Sequence, residues 1–326
     1  MLELILLDEN LKEIGSMDVD VDVEVGTSSD ATNDFEIETD EIQKYNPYGF
    51  YYPGTEIGGI FEHVEATCRD DIQTIKGYTW RGLMTLSLIL PPSGSDYKIV
   101  SGDANSIISS ILSGVLGGFF HVPSTSSGLT IDSYQFPLYI NTLDGLEGML
   151  EKYGYRLSIH ADKVASDTPI QITVEAVEAE QVSGTYNKDS DVPMNFTVDD
   201  MGINHLFCAG GGLLQDRMTV DLYIDENGEV SQTQTYTGFD ERTAFFDYGN
   251  AQSMDDLIEN GTKRLKEIAS YKSMSIDAPE DMDLEIGDMV QGTFPDGTVV
   301  VSPIVQKIFK IKDGMVSTDI KIKGEI

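Results

Sequence analysis

The chain has 326 residues, of which 40% are hydrophobic, and a formal net charge of -35 at pH 7. The hydrophobic content supports a sizeable folded core, so a wholly disordered chain is excluded. This acidic net charge excludes a nucleic-acid-binding protein, because neutralising phosphates requires clustered lysine and arginine side chains.

The first predicted elements are a hairpin and a strand with one acidic face. Residues 2–7 and 11–17 flank the turn Asp8-Glu9-Asn10, and the opening residues lack the basic region of a secretory signal. Valines then alternate with acids, which predicts a strand with an apolar face and an acidic face. The acids are Asp18, Asp20, Asp22 and Glu24. Calcium needs about six to eight converging oxygens, so this line of carboxylates predicts a solvated or channel-lining face instead.

An aromatic loop follows at residues 45–53, before a predicted hairpin formed by residues 59–69 and 72–78. The loop could stack sugars, or it could form a contact between subunits, because tyrosine is enriched at interfaces. Its candidate interface residues are Tyr45, Tyr48, Phe50, Tyr51 and Tyr52.

The middle of the chain predicts a small α/β insertion over residues 101–165. Apolar periodicity predicts helices at 104–116 and at 142–153, the second capped by Thr142, and a strand follows at 155–160. Serines and glycines interrupt the most apolar run, so no membrane span is predicted.

Residues 166–326 predict a second β region that contains one long helix and ends in a β meander. Ser253 is the expected cap of a helix over residues 253–272. Leu257 and Leu265 lie on its apolar face, and Gly261 in mid-helix indicates close packing against another backbone.

No motif in the chain predicts catalysis, a cofactor or a bound metal. Gly210-Gly211-Gly212 lacks the lysine of a phosphate-binding loop and predicts a bulge between strands. The acids of residues 281–285 resemble the start of a calcium loop, but Ile286 stands where that loop requires glycine. The four histidines are scattered. Cys68 and Cys208 could form one disulfide, but two buried thiols are expected.

Several short motifs resemble those of the tail-hub proteins of long-tailed phages and phage-tail-like particles. The matching residues are Arg242 with Asp247, the helix triplet Leu257, Gly261 and Leu265, the turn residues Leu284, Gly287, Asp288 and Val290, and the pair Asp216-Arg217. The opening hairpin is also similar to that family. One departure is the acidic strand after this hairpin, where the family usually carries aromatic and basic residues.

The resemblance implies a mainly β fold with an α+β insertion. Two β-barrel-like hub domains, at 1–100 and 166–326, would flank the small α/β domain at 101–165. It also implies a non-enzymatic homotrimer at the virion tail tip or baseplate, assembled in the bacterial host cytoplasm. Its expected partners are the distal tail protein, a spike or fibre-bearing protein and the tape-measure protein, with DNA passing through an acidic channel on ejection. A carbohydrate-binding or calcium-dependent β-rich adhesion protein remains the alternative.

Overall fold

The chain is mainly β with small helical insertions, which confirms the predicted fold class. The computed structural model describes residues 4–17, 19–29, 31–39, 47–66, 73–116, 118–166, 168–186, 194–199, 202–212, 214–225, 228–249, 251, 253–269, 271–278, 284–293, 297, 299–312 and 315–324.

The strands are β1 (Leu4–Leu7), β2 (Glu13–Met17), β3 (Asp20–Gly26), β4 (Asp34–Thr39), β5 (Gly49–Tyr51), β6 (Gly58–Ala66), β7 (Gln73–Thr79), β8 (Ile99–Asp103), β9 (Thr130–Gln135), β10 (Tyr155–Lys163), β11 (Ile170–Glu178), β12 (Gln181–Tyr186), β13 (Met194–Asp199), β14 (His205–Ala209), β15 (Thr219–Ile224), β16 (Val230–Ser231), β17 (Thr243–Asp247), β18 (Tyr271–Ala278), β19 (Met289–Thr293), β20 (Val299–Lys312) and β21 (Met315–Gly324). The helices are α1 (Trp80–Thr85), α2 (Ala104–Val115), α3 (Thr142–Glu151) and α4 (Met254–Ile268), with short 3-10 helices at Leu214–Asp216 and Gly238–Asp240.

Two compact units share the chain. Unit 1 comprises Met1–Met194 and Ser275–Ile322, and unit 2 comprises Asn195–Met274 and Lys323–Ile326. Unit 1 is therefore built from both ends of the sequence. The three-region division predicted at residues 100 and 165 stays a prediction.

The main sheet of unit 1 runs in the order β21-β20-β3-β4-β7-β6-β5-β1-β2, with antiparallel neighbours. The predicted alternation of β3 is present, because Val21, Val23 and Val25 are buried while the acids between them face outward. Strand β19 adds to β20 and pairs parallel with β12. These described pairings form an open path, so closure into a barrel stays a prediction.

Helices α2 and α3 of unit 1 share a core with the β10–β11 hairpin. This core includes Ile108, Leu146, Leu157 and Val174, all of which are fully buried. The predicted cap of α3 is wrong by one residue, because the Asn141 side chain accepts a 2.9 Å hydrogen bond from the Asp144 amide. Thr142 lies inside the helix, where its hydroxyl accepts a hydrogen bond from Ser87 Oγ.

Unit 2 contains a four-stranded sheet in the order β16-β15-β14-β17, in which β14 and β17 run parallel. Helix α4 packs on this sheet, and its Ser253 cap forms as predicted, with Ser253 Oγ accepting from the Asp256 amide at 3.1 Å. The predicted helix end at residue 272 is wrong. Helix α4 ends at Ile268, because the alternating polar and apolar residues from Tyr271 onward form β18.

Candidate functional site

The acids of β3 lie on an exposed sheet face beside a second acidic strand. In the antiparallel pair β3–β4, Asp20 lies opposite Glu38 and Asp22 lies opposite Glu36. The alternation in β4 turns its three acids outward, and the same alternation is visible in the sequence Asp34–Thr39. Asp18 lies outside the described residues. We call the six described acids of β3 and β4 the acidic face: Asp20, Asp22, Glu24, Asp34, Glu36 and Glu38.

Polar side chains on the flanking strands contact the acidic face. Lys310 Nζ on β20 lies 3.3 Å from Asp22 Oδ2, and Lys76 Nζ on β7 lies 2.8 Å from Glu36 Oε2. Gln306 Nε2 donates a hydrogen bond to Glu24 Oε1. Because both ion pairs are about half exposed, solvent screens them and they stabilise the fold little.

The acidic face brings six carboxylates together on one side of the sheet, and Asp22 and Glu36 each pair with a lysine. Like charges directly opposite each other on neighbouring strands destabilise a sheet. Burial, and after it the charge of Glu24, raises the pKa of the Asp34 carboxyl. The arrangement therefore opposes folding slightly, and its main physical consequence is a negative potential over a solvent-facing surface.

A buried ionic network joins three parts of unit 1 around Arg81, which is 1% exposed. Arg81 Nε donates to Glu56 Oε2 at 3.0 Å, and Nη2 donates to the Leu157 carbonyl at 2.7 Å. Arg81 Nη1 donates to Glu147 Oε1 on α3. Nothing in the sequence around Arg81 predicted this contact, because its partners lie 25 and 66 positions away along the chain.

The Arg81 network contains two carboxylates for one guanidinium, so its ionised form carries a net negative charge away from water. Burial raises the pKa of Glu147 to about 7, although the Arg81 charge opposes this rise. Burial also raises the pKa of Glu285 on the 284–288 turn, against the opposing charge of Lys307, whose Nζ lies 3.6 Å from Glu285 Oε1. The network holds its charged groups inside the fold rather than in an open cleft, which indicates a structural role.

The predicted turn motif at Leu284–Val290 forms around Arg156. Gly287 has φ +91°, and a Cβ there would lie 2.6 Å from Arg156 Cβ, so only glycine fits without strain. Asp288 Oδ1 accepts from Arg156 Nε at 2.8 Å and from the Glu180 amide at 2.9 Å. Asp288 therefore anchors the turn, while Leu284 and Val290 are buried.

The helix triplet of the predicted motif packs α4 onto the sheet of unit 2. Leu257 and Leu265 are fully buried, and a Cβ on Gly261 would lie 2.7 Å from both Cys208 Sγ and Leu222 Cδ1. The glycine thus lets the helix backbone approach buried side chains of β14 and β15. Burial raises the pKa of the Cys208 thiol to about 11, and Cys68 lies outside the described residues.

The structure places Asp247 beside Arg217. Arg217 forms an ion pair with Asp247, and its Nε donates to the Gly210 carbonyl at 2.8 Å. This ion pair is partly exposed and therefore lies at the surface of unit 2. The hydrogen bond to the Gly210 carbonyl holds the glycine-rich segment in place. The Arg242 amide donates to Asn204 Oδ1 at 2.8 Å, and Asp216 is exposed in a 3-10 helix.

The predicted aromatic interface is divided between the core and the surface. Phe50 and Tyr51 are buried, and Tyr51 Oη donates to Glu13 Oε1 at 2.5 Å. Neither residue therefore lies on the surface of unit 1, because both faces of this short strand are covered. Tyr48 is exposed and Tyr52 is half-buried, whereas Tyr45 lies outside the described residues.

The described part of the chain contains no cluster of three His, Cys, Asp or Glu side chains arranged to hold a metal ion. His205 illustrates the geometry, because its Nε2 lies 2.7 Å from Asp221 Oδ1 and its Nδ1 lies 2.8 Å from Glu241 Oε1. These carboxylates contact opposite sides of the ring and do not converge with it on one ion. Among the helices described, none has the length and apolar character needed to cross a membrane.

Solved structures of phage tail proteins share this fold over nearly their whole length. The prophage tail protein gp18 from Listeria monocytogenes matches with a TM-score of 0.52 and 14% identity, covering 99% of this chain and 94% of that one. The 43 kDa tail protein of prophage MuSo2 from Shewanella oneidensis matches with a TM-score of 0.52 and 12% identity, covering 98% of both chains. The tail protein from Neisseria meningitidis MC58 matches with a TM-score of 0.50 and 10% identity, covering 99% of this chain and 96% of that one.

No family model and no curated protein matches the sequence. The structural comparisons confirm, at the level of the fold, the phage tail resemblance that the short motifs predicted.

Proposed function

We propose that this chain is a structural hub at the tip or baseplate of a phage tail or tail-like particle, where three copies form a ring. The observation that carries this proposal is the fold, which three phage tail proteins share over at least 94% of their chains. The motif residues support it because they hold the fold together: Gly261 seats a helix, and Asp288 anchors a turn. The role is non-enzymatic and mechanical.

The acidic face is the surface that we assign to the lumen of the ring. Its carboxylates repel phosphates, so DNA can pass on ejection without adhering to the wall. The same repulsion explains why a virion protein would keep acids opposite each other on β3 and β4 although this opposes folding.

The proposed ring connects two parts of the tail. The distal tail protein would bind on one side and a spike or fibre-bearing protein on the other, with the tape-measure protein ending in the lumen. The chain would assemble in the host cytoplasm and remain in the virion tail.

Light scattering of the purified chain tests the homotrimer. We expect a mass three times that of the 35.9 kDa chain at moderate salt, where screening reduces repulsion between the copies. A monomer at every concentration measured would contradict a ring that forms without partners.

Neutralising the acidic face tests its place in the lumen. In particles carrying Asp20→Asn, Asp22→Asn and Glu24→Gln, we expect DNA ejection to slow by about tenfold, because the wall then repels phosphates less. The fold should persist, since these side chains are exposed or half-buried and stabilise it little.

The matched control for the acidic face removes the same charges elsewhere in unit 1. The control variant carries Asp132→Asn, Glu151→Gln and Asp162→Asn. These three residues are exposed in the insertion, and their substitution should leave the ejection rate unchanged. Equal slowing in both triple variants, or in neither, would sink the assignment of the acidic face to the lumen.

A further inference from the structure

An exposed apolar surface of unit 1 is formed by residues that precede the small α/β insertion and by residues within it. Its large side chains are between 46% and 64% exposed, although they are leucine, isoleucine and tyrosine. We call this surface the apolar patch, and it consists of Leu86, Leu88, Leu90, Ile99, Leu138 and Tyr139.

Backbone hydrogen bonds hold the three segments of the apolar patch side by side. The Ile89 amide donates to the Ile140 carbonyl at 2.9 Å, and Leu88 lies opposite Asn141. On the other side, the Phe136 amide donates to the Lys98 carbonyl at 3.0 Å. The patch is therefore preorganised, and covering it would cost little backbone entropy.

The apolar patch is large enough to be an interface. Its exposed side chains present on the order of 600 Å², the upper end of what a typical monomer exposes in one patch. A standard protein interface buries about 800 Å² on each partner, so the patch supplies most of one contact surface.

The apolar patch is also nearly free of charge in a very acidic chain. Residues 84–99 and 133–142 contain one acid, Asp96, and one base, Lys98, while the whole chain contains 56 acids. The centres of protein interfaces are likewise depleted of charge. Copies of a chain with net charge -35 repel each other, so they can approach most closely where the local net charge is zero.

We propose that a second copy of this chain covers the apolar patch, an inference that rests on the proposed homotrimer. In a closed ring of three, contacts are heterologous, so each copy covers its neighbour's patch with a different surface. The patch then makes the apolar centre of each contact, and the acids of both copies stay outside it.

Two charged substitutions test whether a second copy covers the apolar patch. In Leu90→Asp with Tyr139→Asp, we expect the concentration at which the trimer half-dissociates to rise at least about 100-fold, measured by light scattering over a dilution series. Circular dichroism and thermal melting would establish that the variant folds. If it fails to fold, Leu90→Ser with Tyr139→Ser replaces it, since these changes add no charge and should still weaken the trimer.

The matched control adds the same charges at exposed positions of unit 2. Leu214→Asp with Phe239→Asp changes a leucine and an aromatic residue that are almost fully exposed, and it should leave the trimer intact. A folded patch variant that stays trimeric, or a control that dissociates equally, would overturn the inference while the homotrimer stands. A wild-type chain that is monomeric throughout would instead remove the homotrimer, and the inference with it.

Discussion

Arg81→Met is expected to lower the free energy of unfolding by about 3–5 kcal/mol at pH 8, because it leaves buried carboxylates without their cation. Methionine fills much of the space of the arginine stem but cannot donate hydrogen bonds to Glu56, Glu147 or the Leu157 carbonyl. The measurement is urea denaturation followed by tryptophan fluorescence, since Trp80 is the only tryptophan and lies next to Arg81.

The cost of Arg81→Met should be smaller at pH 5 than at pH 8. The pKa of Glu147 is raised from its ordinary value of 4.5 to about 7, so the folded state binds more protons than the unfolded state between these values. Unfolding free energy therefore falls as pH rises through this window. Removing the Arg81 charge raises the pKa of Glu147 further, which makes this fall steeper in the variant.

A triple variant separates the lost cation from lost packing. Adding Glu56→Gln and Glu147→Gln to Arg81→Met removes the buried negative charges, and stability should return to within about 2 kcal/mol of the wild type. Equal losses in the single and triple variants, or a single-variant loss independent of pH, would show that Arg81 acts through packing alone.

Gly261→Val is the second large effect, with an expected loss of at least about 2 kcal/mol from overpacking, which outweighs the better helix propensity of valine compared with glycine. Even a Cβ alone would lie 2.7 Å from Cys208 Sγ and Leu222 Cδ1, which are buried and can shift little. Helix α4 would have to move away from β14 and β15. Hydrogen exchange of amides in these elements measures the loss, which should be confined to unit 2.

Gly114→Ala is the matched control for Gly261→Val. Gly114 is also inside a helix, α2, but a Cβ there would have no neighbouring atom within 4 Å. Alanine at this position should therefore stabilise the chain by about 0.5–1 kcal/mol through helix propensity. If Gly261→Val were neutral, the close approach of α4 to Cys208 would have no energetic importance.

Local patterns correctly predicted a strand and a helix of this chain. The valine–acid alternation of β3 and the capped, apolar-faced helix α4 both follow from residues close together in sequence. The glycine of α4 was informative for the same reason, since a costly residue in mid-helix indicates a packing requirement. Patterns among residues close together in sequence therefore predicted the fold class and part of the proposed lumen surface.

Long-range pairings were beyond these rules. Alternation in β4 shows that it has an acidic side, but only the sheet order places Glu36 opposite Asp22. Similarly, Arg81 meets Glu147 through tertiary packing, and the parallel pairing of β14 with β17 depends on the path of the intervening chain. A single sequence contains no period or spacing that encodes such contacts.

The sheet order of unit 1 has a consequence for synthesis on the ribosome. Strand β3 pairs with β20, which comes far later in the chain, so its edge stays unpaired until that strand has been translated. Unpaired strand edges associate with other chains. Prematurely terminated chains should therefore keep an open sheet edge, which protease sensitivity of a chain ending at residue 298 can reveal.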